Sequence, residues 1–229
     1  MFKQWLARIS VALLLICPVV LWAAESESPE SSELRQSESG QAEPRQIDSS
    51  NPQLVIEGVT AGLLGLLSEF EGRFETEPEA YFAALDELLN DVVDFTFIAT
   101  NVMGPYRKTA TPVQLEEFEK VFRLELIETY GRGLFSYSNQ EIILIPLEED
   151  LEGKKRVTLR QEIHNGDKVY PLNYSMGLNR EGQWKVTNLV INGINLGKTF
   201  RNQFLQRARE FDGNIDQVIN NWAADVQAG

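Results

Sequence analysis

The chain is nearly empty of the side chains that most often carry catalysis. Among 229 residues there is one cysteine, Cys17, and one histidine, His164. A lone thiol excludes a disulfide within the chain, and one Cys with one His is too few for a zinc site built from those ligands. Basic residues are also scarce, with 21 Lys and Arg against 34 Asp and Glu and a net charge of −13. Gripping a phosphate backbone requires a basic stripe, so nucleic-acid binding is excluded. The same acidity repels anionic membrane surfaces, which leaves a docking partner rather than bulk charge to mediate any membrane visit. No G-x-S-x-G elbow, phosphate-cradling glycine loop or two-His zinc pattern occurs. Glu148-Glu149-Asp150 falls in a loop with Glu152 and reads as a solvated charge run. His164 abuts Asn165-Gly166 on the polar side of its segment. A general base paired with Asp167 is the one acid–base arrangement it offers, and an exposed hairpin residue is the reading its position favours. The composition calls for no cofactor and no metal.

Apolar surface is what the chain does have, at 43% hydrophobic residues, enough to bury a core. The first stretch stands apart from it. Met1–Arg8 carries Lys3 and Arg8 with no acid, and Ile9–Ala24 is almost wholly apolar. Residues 1–24 therefore read as a secretory signal, too short and interrupted for a comfortable membrane span. Trp22 stands where a small residue is preferred before cleavage after Ala24, which keeps an uncleaved anchor as the alternative. Cys17 lies inside this segment behind Ile16, where a lipoprotein signal wants a small residue, and reads as hydrophobic filler. Residues 25–52 are rich in Ser, Glu and Gln and have almost nothing to bury, the composition of a disordered acidic spacer. Residues 53–229 form the folded domain.

Within that domain the period changes once. Leu54, Val55, Val59, Leu63, Leu66, Leu67, Phe70 and Phe74 recur at helical spacing. A second helix is expected from Pro78, and a short third from Asp94 to Met103 with Asp94 as cap and Gly104 as stop. Thr111-Pro112 opens a fourth, cap then proline at the first position, ending around Gly131–Gly133. Then period two takes over. Glu141–Leu147 and Arg156–His164 read as strands, Asn165-Gly166 as a tight hairpin, and Val169–Leu178 and the segment from Trp184 as two more strands. Lys198–Phe211 and Asp216–Val226 return to helix. Helices, an antiparallel meander and two closing helices describe an α+β domain with helices against one face of a curved four- to five-stranded sheet. Periodicity does not tell a filled interior from a hollow one.

Specific strings then matter. Val93-Asp94-Phe95, Val102-Met103-Gly104, Tyr106-Arg107-Lys108-Thr109-Ala110-Thr111-Pro112, Phe118, Phe122-Arg123 and Glu128-Thr129-Tyr130 come in order. Gly182-Gln183-Trp184-Lys185-Val186, Val190-Ile191-Asn192-Gly193-Ile194-Asn195-Leu196 and Phe200-Arg201-Asn202-Gln203-Phe204 follow. The ordered set resembles the MlaC (toluene-tolerance) family over about Gln53 to Val226. Departures are Asn188, where the family is usually acidic, Gly193-Ile194-Asn195-Leu196 in place of Gly-Val-Ser-Leu, and Phe200-Arg201 in place of Tyr-Arg.

The resemblance implies an NTF2-like domain whose helices and sheet enclose an apolar cavity for phospholipid acyl chains, with the headgroup near solvent. It implies a periplasmic, non-enzymatic shuttle that maintains outer-membrane lipid asymmetry. Its partners would be an outer-membrane lipoprotein complex and an inner-membrane ABC transporter with its substrate-binding ring. Phospholipid would be cargo rather than cofactor. The wall is expected from Phe95, Val102, Met103, Phe118, Phe122, Tyr130, Leu159, Ile163, Leu172, Tyr174, Met176, Trp184 and Val186. Arg107 and Arg201 are the headgroup candidates, because guanidinium pairs well with phosphate. The rivals are a carrier of another amphiphile such as a hopanoid or isoprenoid lipid, a small NTF2-like enzyme using His164, and an interaction module with a solid core.

Overall fold

The computed structural model describes residues 47–135 and 140–227, with side chains through Trp222. The expected signal segment, Cys17 and most of the acidic spacer lie outside the described residues. The described residues ahead of the first helix are held to the domain: Ile47 packs against that helix, and the Trp184 amide donates to the Ser49 carbonyl at 2.8 Å.

Helix α1 (Pro52–Glu69) starts where Asn51 accepts from the Gln53 amide, with proline in its first turn, where the missing N–H costs nothing. Helix α2 (Pro78–Asn90) follows a turn, and α3 (Phe95–Val102) is capped by Asp94, as the sequence predicts. Gly104 stops α3 at φ +61° and opens a short 3-10 turn, Gly104–Lys108. Helix α4 (Pro112–Leu134) carries a full capping box: Thr111 Oγ1 accepts from the Gln114 amide while Gln114 accepts from the Thr111 amide. It runs past Gly131 and Gly133 because Gly131 is a contact, not a break; a Cβ there would lie 2.8 Å from Leu85.

The sheet is a five-stranded antiparallel meander in chain order: β1 (Glu141–Ile145), β2 (Arg156–Asn165), β3 (Lys168–Leu178), β4 (Trp184–Ile191) and β5 (Ile194–Asn195). The last strand was missed by period counting because it is two residues long. It is joined to β4 by Asn192-Gly193, both at positive φ, the two-residue turn whose twist matches a hairpin. Helices α5 (Leu196–Glu210) and α6 (Ile215–Gln227) close the domain. Among the described residues, no helix is long and apolar enough to cross a membrane.

Packing divides the interior into three apolar clusters. Met103, Phe118, Phe122, Phe200, Phe204 and Trp222 join α3, α4, α5 and α6. Val55, Ile56 and Val59 of α1 meet Val157, Leu159, Met176, Trp184 and Val186 of the sheet. Phe70, Tyr81, Leu85 and Ile127 join α1, α2 and α4. Helix α4 packs chiefly on α2, α3 and α6, whereas α1, α3 and α5 make the contacts to the sheet.

Candidate functional site

The register of the sheet defines its two faces. Opposite partners Val157–Met176, Leu159–Tyr174, Gln161–Leu172 and Ile163–Tyr170 share the face that meets α1. On β1, Ile142 and Leu144 pair with Ile163 and Gln161 and extend that face. On β4 the pairing slips by one at Thr187, whose hydroxyl donates to the Ser175 carbonyl at 3.0 Å. This bulge turns Leu189 and Ile191 inward, opposite Tyr174 and Leu172, and sends Val190 outward. The inner face is therefore almost wholly apolar from Trp184 at one end to Ile142 and Ile191 at the other.

Its two ends are covered differently. At the near end Leu159 and Met176 are each 1% exposed beneath α1. Beyond Gln161 the helix leaves the sheet: Leu63 touches both neighbouring clusters, and Leu66 and Leu67 pack on α2. Ile142, Ile163, Tyr170, Leu189 and Ile191 are half-buried and, among the described residues, belong to none of the three clusters. That part of the apolar face is therefore less covered than the end beneath α1.

The sequence-predicted wall is distributed over this architecture. Val102, Met103, Phe118 and Phe122 are buried inside the four-helix cluster. Leu159, Met176, Trp184 and Val186 form the closed end of the sheet's inner face. Phe95 is buried beneath the Arg123 guanidinium, 5.2 Å from its ring centre. Ile163, Leu172 and Tyr174 stand at or beside the less covered end, whereas Tyr130 packs on the four-helix cluster, its ring nearly perpendicular to that of Phe200 at 6.3 Å. Ile142, Tyr170, Leu189 and Ile191 were not singled out. Ile142 and Tyr170 were legible from period two alone, whereas Leu189 and Ile191 are hidden by the bulge.

Polar groups on the inner face are few, and the two arginines lie elsewhere. The Tyr174 hydroxyl donates to Gln161 Oε1 at 2.8 Å, and Gln161 Nε2 donates to Thr60 Oγ1 at 3.0 Å. Burial pushes the Tyr174 phenol well above its ordinary range and the Tyr130 phenol up to about 12. Arg107 and Arg201 are exposed at one corner of the helical layer, Arg107 donating to Asn101 Oδ1 at 3.1 Å and Arg201 lying over Gly104. Asn188 accepts from the Gly197 amide at 3.1 Å, a role that a carboxylate oxygen would also fill.

His164 is on the opposite face of the sheet. It contacts Glu162 at 3.0 Å rather than Asp167, and Glu162 is also held by Arg160. His164 and then Arg160 keep the Glu162 carboxyl below its usual range. Glu149 pairs with Lys154, and Asp150 accepts from the Glu152 amide, so the acidic loop satisfies itself. A separate pocket of about 280 Å³, lined by Asn90, Asp94, Glu119, Asn179 and Lys185 among others, is polar.

These features define the class: an α+β protein in which helices roof one face of a single antiparallel sheet, leaving part of that apolar face less covered. The family model described as MlaC protein matches residues 57–224, and the chain belongs to the MlaC family. The toluene tolerance protein ttg2D of Pseudomonas putida is 35% identical over 181 residues, covering 79% of this chain and 83% of that protein. The intermembrane phospholipid transport system binding protein MlaC of Haemophilus influenzae is 24% identical over 154 residues, covering 66% and 71%. In structure, the chain resembles the phospholipid-binding protein from Ralstonia solanacearum, solved in complex with a phospholipid. The TM-score is 0.69 at 21% identity, with 77% of this chain and 99% of that one covered.

Proposed function

We propose that the protein is a periplasmic phospholipid carrier that shelters acyl chains against the less covered end of the sheet's inner face. The observation that carries this reading is the run Ile142, Ile163, Tyr170, Leu189 and Ile191, apolar, inward-facing and outside the packed clusters. Family membership and the phospholipid named for two relatives support it.

The physics sets the requirement. Each methylene removed from water is worth roughly 0.8 kcal/mol, so two long tails represent on the order of 20 kcal/mol. A carrier must cover nearly all of that length in transit and still release it, which favours a yielding wall. The headgroup stays at the surface, with Arg107 and Arg201 as candidate contacts. Loading and unloading would involve an outer-membrane lipoprotein complex and an inner-membrane ABC transporter with its substrate-binding ring. The protein itself carries out no bond chemistry. His164 faces away from the cleft, which takes away the feature on which an enzymatic reading rested.

The test is purification of the exported protein from an envelope fraction and mass spectrometry of what it holds. Stoichiometric phospholipid is the expected result, with a hopanoid or isoprenoid lipid redirecting the cargo assignment. A protein that is empty on isolation and takes no lipid from vesicles sinks the carrier reading.

A further inference from the structure

Gln161 is the one buried polar side chain among the described core residues, at 4% exposure. It is the centre of a directed chain: Tyr174 Oη donates to its carbonyl, its amide donates to Thr60 Oγ1, and Thr60 donates to the Ile56 carbonyl at 2.7 Å. The chain crosses from β3 through β2 to α1. It lies where coverage of the inner face changes, between Leu159 at 1% exposure and the half-buried Ile163. Two residues past Thr60, Gly62 is pressed on Leu88 of α2, so α1 departs from the sheet at this level. Tyr174 itself is half-buried at this level, opposite Leu159 on one side and Leu189 on the other, so it stands at the boundary between the covered and the less covered part of the face.

Resting on the carrier reading above, we propose that Thr60, Gln161 and Tyr174 form the floor of the acyl cleft and set the chain length the protein accepts. A methyl terminus arriving from the open end meets the Tyr174 ring. Going further would require parting α1 from β2, which breaks hydrogen bonds in a low-dielectric setting where water does not replace them. Chains longer than the available depth leave methylenes in water at the mouth, and each lowers affinity about fourfold. Shorter chains leave part of the cleft unfilled. Affinity therefore peaks at one length.

The experiment uses the full chain, stripped of lipid and equilibrated with vesicles holding equal amounts of phosphatidylethanolamines that differ in acyl length. Bound lipid is read by mass spectrometry. Wild type should show a peaked profile. Tyr174→Ala should move the peak upward by roughly two to four carbons, the space of the lost ring at native packing density. Tyr174→Phe, which keeps the ring, should leave the peak in place. A Tyr174→Ala protein with normal uptake and an unmoved peak overturns the floor assignment, whereas failure of wild type to take any lipid fails the carrier reading instead. Should the alanine variant not fold, wild type loaded with a lipid carrying a photoreactive diazirine at the acyl terminus gives the same answer. Crosslinks to Thr60, Gln161 or Tyr174 support the floor, and crosslinks to Val157, Met176 or Trp184 place the terminus beyond it and overturn it.

Discussion

Arg123 of α4 grips Asp86 of α2 with both arms of its guanidinium, Nε to Oδ1 at 2.5 Å and Nη2 to Oδ2 at 2.6 Å. Its third nitrogen donates to Asn90 at 2.7 Å, and the same plane covers Phe95. One side chain thus joins α2, α3 and α4. Lysine has no fork and no flat face, so it replaces neither the bidentate contact nor the stacking. Arg123→Lys should lower stability nearly as much as Arg123→Ala, by about 1–2 kcal/mol after discounting for the partly exposed pair. Urea midpoints of the two variants check this, and a lysine variant matching wild type would reduce the contact to simple charge pairing.

The two kinds of apolar residue should separate binding from stability. Phe122 is fully buried in the four-helix cluster, so Phe122→Ala should cost about 3–5 kcal/mol. Ile163 is half-buried on the cleft side and outside the clusters. Ile163→Asp should leave the melting temperature within a few degrees of wild type while cutting phospholipid uptake more than tenfold, because a carboxylate there must be desolvated when tails arrive. The measurement is thermal unfolding beside a vesicle-uptake assay. Full uptake by Ile163→Asp moves the cleft elsewhere.

How much of this was visible in the sequence depends on the element. Thr111-Pro112 announced the longest described helix because a cap followed by proline is a local event, and the structure adds Gln114 to complete a capping box. Alternation in Arg156–His164 gave the inner face of β2 for the same reason. The closing end of β4 was hidden: one extra residue at Thr187 reverses the alternation, and nothing local to Lys185–Ile191 signals it. Which wall residues are core and which line the cleft was not legible either. Phe118 and Tyr130 lie on one helical stripe, yet one is sealed beneath Trp222 and the other is half-buried, a difference set by where α6 lands.

Alkaline pH should destabilise the fold in a defined window. Burial raises the Tyr81 and Tyr130 phenols from 10 to about 12, and raises Tyr174 further. Above pH 10 the unfolded chain releases these protons while the folded chain retains them. Stability is therefore full below pH 10 and is lost progressively as pH climbs toward 12 and beyond. Tyr130→Phe removes one such group and should flatten the decline. Urea unfolding at pH 9, 10 and 11, with tyrosinate absorbance followed in parallel, tests it; equal slopes for variant and wild type would contradict the assignment.

Arg107 and Arg201 give the prediction closest to the membrane. Both guanidiniums are exposed at the corner where α3 ends and α5 begins, in a chain whose net charge is −13. Gly104 makes room for Arg201: a Cβ there would lie 3.2 Å from its Nε, on a residue already at φ +61°. Exposed charges act through a screened field and contribute about 0.2–1 kcal/mol each, so removing both should slow extraction of phosphatidylglycerol from vesicles by about two- to thirtyfold. The sharper signature is salt. The net charge of −13 repels an anionic bilayer, so extraction by both proteins should rise as salt shortens the screening length from about 30 Å at 0.01 M to 8 Å at 0.15 M. The Arg107→Ala, Arg201→Ala double variant, without the local attraction, should be slowest at low salt and show the steeper rise, with its urea midpoint unchanged. A double variant with wild-type rates and the wild-type salt slope would take the headgroup away from this corner and leave the two arginines to the packing around Gly104 and Asn101.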